Sequence, residues 1–133
     1  MGRCSMKPIT REWVKKAEQD FAAAVQLARR RKSPLHDVVC FHSQQCLEKY
    51  LKARLCEAGL AIPKTHNLEA LLDLVLPAEP LWAPFRPVLQ LLASSAVELR
   101  YPGVSATKPE ARRSLADCKT LRREVRLSLG LRA

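Results

Sequence analysis

The side chains best suited to acid–base chemistry in this 133-residue sequence are its histidines, because an imidazole exchanges a proton near neutral pH. They are His36, His42 and His66. His66 precedes Asn67 at the expected start of a helix, where a histidine is usually a cap or turn residue and alternatively contacts a ligand. His42 lies on the border between the apolar and polar sides of a predicted helix. It either donates to a backbone carbonyl or faces a cleft.

A second set of candidates combines amides with cations. In residues 41–53, the side of the predicted helix opposite the apolar one carries glutamine, glutamate and lysine. The amides either join an inter-helix hydrogen-bond network or position a ligand, and the lysines suit a phosphate group. An arginine and a tyrosine end a later helix. The arginine either serves the helix dipole or lines the same site together with the tyrosine. The candidate ligand-binding residues are Gln45, Lys49, Lys52, His66, Arg100 and Tyr101.

Two apolar residues, Val38 and Phe41, interrupt the polar side of this helix. A solvated helix face rarely carries a large aromatic ring among charges. Either the chain itself folds over Phe41 or a second subunit covers it. A symmetric dimer through this face would use the same surface on both copies.

Positive charge is concentrated in the two ends of the sequence. The chain has 23 Lys and Arg against 13 Asp and Glu, a net charge of +10. Residues 1–33 contribute +6 and residues 107–133 contribute +5, whereas residues 34–106 contribute −1. This asymmetry bears on the partners of the protein rather than on its fold. On the last predicted helix, the side opposite the apolar stripe forms a basic partner surface of Arg112, Lys119, Arg123 and Arg126.

The run Arg29-Arg-Arg-Lys32 ends the first predicted helix. Cations there suit the negative end of the helix dipole, and the alternative is a contact with nucleic acid. The dipole explanation is the one we favour from sequence.

Composition and missing motifs exclude several classes of protein. The length fits one domain, and 47% apolar residues are enough for one core and argue against disorder. No metalloprotease motif, glycine-rich phosphate loop or nucleophile elbow is present, and no carboxylate pair stands out. We therefore assign no catalytic residue, metal or cofactor. The sequence shows no signal peptide and no apolar run of membrane length, and its five cysteines have no spacing typical of disulfides or a zinc site. We therefore expect a cytoplasmic protein with buried thiols.

Helical periodicity and capping residues predict the elements that carry these candidates. No segment alternates with the period of a strand, and Thr107-Lys-Pro-Glu110 fits a capping box. We expect an all-α fold, an up-and-down bundle of four to five antiparallel helices joined by short connections. We expect a single domain over residues 10–129 after a flexible N-terminus of residues 1–9. Translation starts at either Met1 or Met6. The predicted helices are Thr10 (as N-cap) to about Arg31, Pro34–Ala58 after Ser33, Leu68–Leu76 after Asn67, Pro87–Leu99, and a last helix after Thr107.

Two apolar stripes define the expected core. The second helix carries Val39, Ser43, Cys46, Leu47 and Tyr50 on one side. The last helix carries Ala111, Leu115, Cys118, Leu121 and Val125. Both stripes recur at three- and four-residue spacing, which is typical of helices that pack on one face.

The segment Phe41-His-Ser-Gln-Gln-Cys-Leu-Glu-Lys-Tyr-Leu-Lys-Ala53 closely resembles the central-helix motif of HEPN domains (higher eukaryotes and prokaryotes nucleotide-binding). Lys64-Thr-His-Asn-Leu68 is similar to the turn before the family's third helix, and Arg100-Tyr-Pro102 to the signature that ends its fourth. The first-helix pattern is matched by Trp13, Ala17, Asp20 and Ala24. The resemblance covers roughly residues 12–127 and makes the expected fold HEPN-like.

The resemblance implies a small helical bundle, often a homodimer, that commonly works beside a separately encoded minimal nucleotidyltransferase. Some family members bind nucleotides. One large branch comprises metal-independent RNases, which carry an arginine followed after four to six residues by a histidine late in the chain. Here no histidine follows Arg100, so the RNase motif is absent from its expected position. Arg31 and His36 have the right spacing, but they flank the first inter-helix turn, and we attribute that match to chance.

The favoured function is a nucleotide- or RNA-binding module, dimeric, acting with a minimal nucleotidyltransferase in a toxin–antitoxin-like pair. One alternative is a metal-independent RNase toxin. The other is a protein-interaction module without a ligand, whose basic last helix docks an acidic partner.

Overall fold

The computed structural model describes residues 6–133, which form five α-helices and a single 3-10 helix. No strand occurs among these residues, so the all-α prediction is confirmed. None of the helices in this part of the chain combines the length and apolarity that crossing a membrane requires. The elements are α1 (Pro8–Ala28), α2 (His36–Glu57), α3 (Leu68–Val75), the 3-10 helix (Pro80–Phe85), α4 (Arg86–Glu98) and α5 (Lys108–Ser128).

Contacts at the helix ends fix the directions of the main helices. The backbone nitrogen of Lys7, just before α1, donates to Glu57 Oε1 at the end of α2 over 3.1 Å, so α1 and α2 are antiparallel. Near the last turns of α2 and α5, Arg54 Nε donates to Ser128 Oγ over 2.8 Å, so these two helices run in the same direction. Helix α2 lies at the centre of the bundle and packs mainly on α1 and α5.

The core is built around α2. Both predicted apolar stripes are buried, those of α2 and of α5. The largest fully buried side chain is Tyr50, and Trp82 of the 3-10 helix closes the core beside α4. The thiols of Cys40, Cys46, Cys56 and Cys118 are free and buried, as expected, whereas Cys4 lies outside the described residues.

Local sequence determines the capping at three helix ends. The Asn67 side chain accepts hydrogen bonds from the backbone nitrogens of Glu69 and Ala70 and so begins α3. Thr107 and Glu110 form the predicted capping box at the start of α5. Gly59 follows α2 with φ of +75°, a left-handed conformation that favours glycine after a helix.

Two predicted helix starts were wrong, and proline is the reason in the first case. Helix α1 begins at Pro8, because a proline at the first position needs no hydrogen bond for its nitrogen. Thr10 therefore lies inside the helix, fully buried, and its hydroxyl has no hydrogen-bond partner within the described residues. Helix α1 also ends at Ala28 rather than Arg31.

The second wrong start is that of α2. Ser33 does not cap a helix but adopts φ of +49°, and α2 begins only at His36, after Pro34 and Leu35. At the N-terminus, Lys7 Nζ donates to the carbonyl of Cys56 over 3.3 Å, which attaches the segment before α1 to the end of α2. The rest of the segment predicted to be flexible, residues 1–5, lies outside the described part of the chain.

Candidate functional site

Asp20 of α1 is the anion that organises one part of the polar side of α2. Its carboxylate accepts from Lys49 Nζ over 2.5 Å and lies 2.8 Å from His42 Nδ1. Asp20 is buried, so both contacts form where water competes weakly. His42 thus faces a carboxylate rather than the backbone carbonyl considered from sequence, and the charge of Lys49 is balanced within the chain.

Glu48 of α2 is the centre of a second buried network. Its carboxylate accepts from Lys52 Nζ over 3.1 Å and lies 3.0 Å from His66 Nδ1. The amide of Gln44 donates to the backbone carbonyl of His66 over 3.3 Å, and the amide of Gln45 donates to Gln44 over 2.8 Å. These bonds tie α2 to the loop before α3. The two glutamine amides thus take part in a hydrogen-bond network, one of the two roles considered from sequence.

The chain itself covers part of the side of α2 that was a candidate for contact with another molecule. The Lys52 side chain is only 7% exposed, and its ammonium lies 5.6 Å from the ring centre of Trp13 in α1. Glu48 is equally enclosed. Lys52 therefore stabilises the bundle through an ion pair and a cation–π contact, and it offers no free charge at the surface.

Arg100 and Tyr101 follow the end of α4 and are both exposed. Arg100 lines a groove of about 160 Å³ together with apolar side chains that include Val38, Phe41 and Leu99. Phe41 keeps 42% of its surface exposed there. The structure therefore places Arg100 beside the aromatic ring that interrupts α2, in a groove that neither Lys49 nor His66 lines.

Three of the four residues predicted for the basic partner surface share an exposed side of α5. Arg112, Lys119 and Arg123 are exposed, and we call them the basic face of α5. Arg126 instead turns toward the bundle, where its side chain is 16% exposed and its Nη1 donates to the hydroxyl of Tyr50 over 3.0 Å.

Sequence reasoning missed a charged cluster that joins α1, α2 and α5. Arg122 donates to both oxygens of Glu18 over 2.7 Å, and the hydroxyl of Tyr50 donates to the same carboxylate over 2.5 Å. Burial would raise the pKa of Glu18, but these hydrogen bonds outweigh it and hold the pKa below its ordinary value. The pKa of Tyr50 is raised, first by burial and then by its bond to Glu18. The sequence signal was slight, since Arg122 adjoins the apolar stripe of α5.

A basic cavity was also missed. It has a volume of about 570 Å³ and lies where the end of α1, the start of α2 and the start of α5 meet. Arg31 and His36, whose spacing was attributed to chance, both line it. The two residues are brought together by the turn between α1 and α2. The complete lining is Ala28, Arg29, Arg30, Arg31, Pro34, His36, Lys108, Ala111 and Arg112.

Comparison with known families identifies the family to which this helical chain belongs. The sequence model of the HEPN domain matches residues 10–128, which is nearly the whole chain and includes Asp20, the central helix α2 and the basic α5. No curated protein and no solved structure matches the chain significantly. The family match spans all five helices and agrees with the motifs in residues 41–53 and 100–102. On that ground the chain belongs to the HEPN domain family.

Proposed function

We propose that this HEPN domain binds the phosphate groups of nucleotides or RNA, and that it does so as a homodimer. We further propose that it acts beside a separately encoded minimal nucleotidyltransferase, as a toxin–antitoxin-like pair. Membership of the HEPN family indicates a nucleotide- or RNA-related module. The ligand chemistry, the dimer and the partner are argued from the surface of the chain.

The observation that carries the proposal is the concentration of cations without an ion-pair partner at the end of α1 and along α5. Lys49, Lys52 and Arg122 each pair with a carboxylate. The cations at the end of α1 and along the outer side of α5 have no carboxylate within ion-pair distance among residues 6–133. A surface with so large an excess of positive charge attracts polyanions and gives salt-dependent binding. These unpaired cations are Arg29, Arg30, Arg31, Lys32, Lys108, Arg112, Lys119 and Arg123.

Ligand binding is tested by thermal unfolding of the purified chain with ATP, GTP or a short single-stranded RNA at low salt. A ligand at 100 times its dissociation constant adds about 2.7 kcal/mol to the free energy of unfolding, so the midpoint temperature should rise. The rise should shrink as salt increases, because phosphate contacts release counterions. If no ligand at millimolar concentration changes the midpoint at low salt, the proposal is wrong.

The groove at Phe41 supports the homodimer. Phe41 and Val38 of α2 adjoin Leu99, which follows α4, and the lining of the groove is mostly apolar. A two-fold axis at this groove would place the same apolar residues on both copies and bury the exposed part of the Phe41 ring. Arg100 at the edge of the groove would then lie close to the subunit interface.

The basic face of α5 favours a second function, the docking of an acidic protein surface. Arg112, Lys119 and Arg123 are exposed along one helix and unpaired within the described residues. The partner to test is a minimal nucleotidyltransferase encoded by an adjacent gene. Arg126 is a poor residue to reverse, because it contacts Tyr50 inside the bundle.

This docking is tested by co-purification with that partner. The double variant Lys119→Glu, Arg123→Glu should lose the partner, since rim charges control encounter and specificity. The variant Lys15→Glu, Lys16→Glu makes the same change in net charge on exposed positions of α1 and should retain it. Equal retention by both variants would contradict docking through α5.

A further inference from the structure

We propose that the cavity between the end of α1 and the start of α5 is a phosphate-binding site, in which Arg31, Lys108 and Arg112 hold the phosphoryl groups of a nucleotide or of an RNA strand. The inference rests on the proposed function and assigns a place to it. None of the six ligand-binding residues expected from sequence lines this cavity.

Three separate segments of the chain contribute to the cavity. Helix α1 ends at Ala28, and the turn that follows carries Arg29, Arg30 and Arg31 around its rim. Helix α5 approaches closely because the buried Ala111 has a side chain small enough to pack in the cluster formed by α1 and α2. All the ionisable residues that line the cavity are arginines, a lysine or a histidine.

The helix dipole does not explain this charge. Cations in the turn after α1 suit the negative end of that helix, which was the explanation favoured from sequence. Lys108 and Arg112, however, lie at the start of α5, where the dipole is positive and repels cations. Two cations placed against the dipole and opposite three arginines are stabilised most simply by an anion between them.

The two carboxylates that adjoin the cavity lining in sequence accept hydrogen bonds from backbone nitrogens. Asp37, which follows His36, accepts from the backbone nitrogen of Ala106 over 2.6 Å. Glu110, in the first turn of α5, accepts from the backbone nitrogen of Thr107 over 2.8 Å as part of the capping box. The guanidinium of Arg30 donates to the carbonyl of Lys32 over 2.9 Å, which orients the side chain without neutralising it. No carboxylate among residues 6–133 lies within ion-pair distance of the arginines and the lysine that line the cavity.

Size and donor chemistry point to phosphate. A volume of about 570 Å³ lies within the range of roughly 300–1,000 Å³ that small-molecule sites occupy, so a nucleotide fits. Guanidinium groups bind phosphate oxygens in a bidentate manner, and His36 adds a ring nitrogen that donates a hydrogen bond. A free nucleotide and a nucleotide within a strand present the same phosphoryl group to these donors.

The test is a comparison of two variants that remove the same charge from different places. Arg31→Gln, Arg112→Gln neutralises two exposed cations of the cavity, whereas Lys15→Gln, Lys16→Gln neutralises two exposed cations of α1 outside the cavity. Binding of ATP is measured by calorimetry, and binding of a fluorescent ten-nucleotide single-stranded RNA is measured by anisotropy at several salt concentrations. The two ligands distinguish a free nucleotide from a strand as the source of the phosphate.

The cavity variant should bind at least about tenfold more weakly than the wild type, and the slope of log affinity against log salt should fall by about two. The control variant should stay within about threefold. If both variants weaken binding equally, the protein attracts polyanions through net charge alone and the cavity is not a site. If the wild type binds RNA or ATP and the cavity variant binds equally well, the cavity proposal fails while the proposed function stands. Absence of binding to the wild type would refute both.

A measurement on the wild type keeps the proposal testable if the cavity variant folds poorly. The ring proton resonances of the three histidines are followed by NMR during titration with ATP or the RNA. The resonance of His36 should shift as the ligand fills the cavity, whereas those of His42 and His66, which face Asp20 and Glu48, should remain in place. Shifts of His42 and His66 without His36 would overturn the assignment.

Discussion

Arg122 and Glu18 are 104 residues apart in sequence and face each other in a bidentate ion pair, with two hydrogen bonds of 2.7 Å. The guanidinium also lies 4.0 Å from the ring centre of Phe21. Because Tyr50 donates to the same carboxylate, one anion of α1 joins α2 and α5. This junction lies beside the core of the bundle and positions the helices that carry the candidate sites.

Replacing Arg122 by methionine should lower the free energy of unfolding by about 1–3 kcal/mol, because it leaves a half-buried carboxylate without its main donor. The effect stays moderate because the Glu18 side chain is 33% exposed and water partly replaces the lost partner. The measurement is urea denaturation followed by circular dichroism. Arg123→Met is the matched control, since Arg123 is exposed, and it should change stability by less than about 0.5 kcal/mol. Equal losses in the two variants would mean that the ion pair contributes nothing measurable.

The same pair should make stability depend on pH in acid. The pKa of Glu18 is lower in the folded chain than its ordinary value. The unfolded chain therefore binds the proton more readily, and the contribution of Glu18 is fully present above its unfolded pKa of about 4.3 and is lost as pH falls through its folded pKa. The stability difference between the wild type and Glu18→Gln should be constant from pH 7 to about pH 5 and shrink below that. A difference that does not change down to pH 3 would contradict the lowered pKa.

Replacing two threonines near helix starts by valine should change the free energy of unfolding in opposite directions. Thr10 is fully buried with an unpartnered hydroxyl, so Thr10→Val replaces a polar group by a methyl of similar size and should stabilise by about 1 kcal/mol. The hydroxyl of Thr107 accepts from the backbone nitrogen of Glu110 over 3.2 Å. Thr107→Val removes this cap and should destabilise by about 1 kcal/mol. Thermal unfolding of both variants checks the pair, and a loss of stability in Thr10→Val would refute the explanation for Thr10.

The proposed dimer is tested by light scattering during size-exclusion chromatography at several protein concentrations. The wild type should run at twice the 15.0 kDa mass of the chain. Phe41→Glu should run as a monomer, because a charge would be buried in the interface. Leu81 is 87% exposed on the 3-10 helix, outside the groove, and Leu81→Glu should leave the dimer unchanged. A wild type that stays monomeric at every concentration would remove the basis for a role that requires two subunits.

The helices and most of their caps were predictable because their signals are local. The capping box of Thr107 and Glu110 and the glycine after α2 act within a few residues, and helical periodicity identifies the buried side of α5. The motif in residues 41–53 likewise indicates the HEPN fold from the sequence alone. Thr10 failed as a cap because Pro8, also a local signal, starts the helix earlier.

Tertiary packing alone decided which polar side chains are free. Lys49 and Lys52 look available on a helical wheel, but Asp20 and Glu48 pair with them once α1 lies against α2. In the same way, the runs around Arg31 and Arg112 become one cavity because the end of α1 meets the start of α5. Periodicity reports which side of a helix is apolar, whereas the partner of a charge depends on contacts between segments far apart in the chain, which no local pattern encodes.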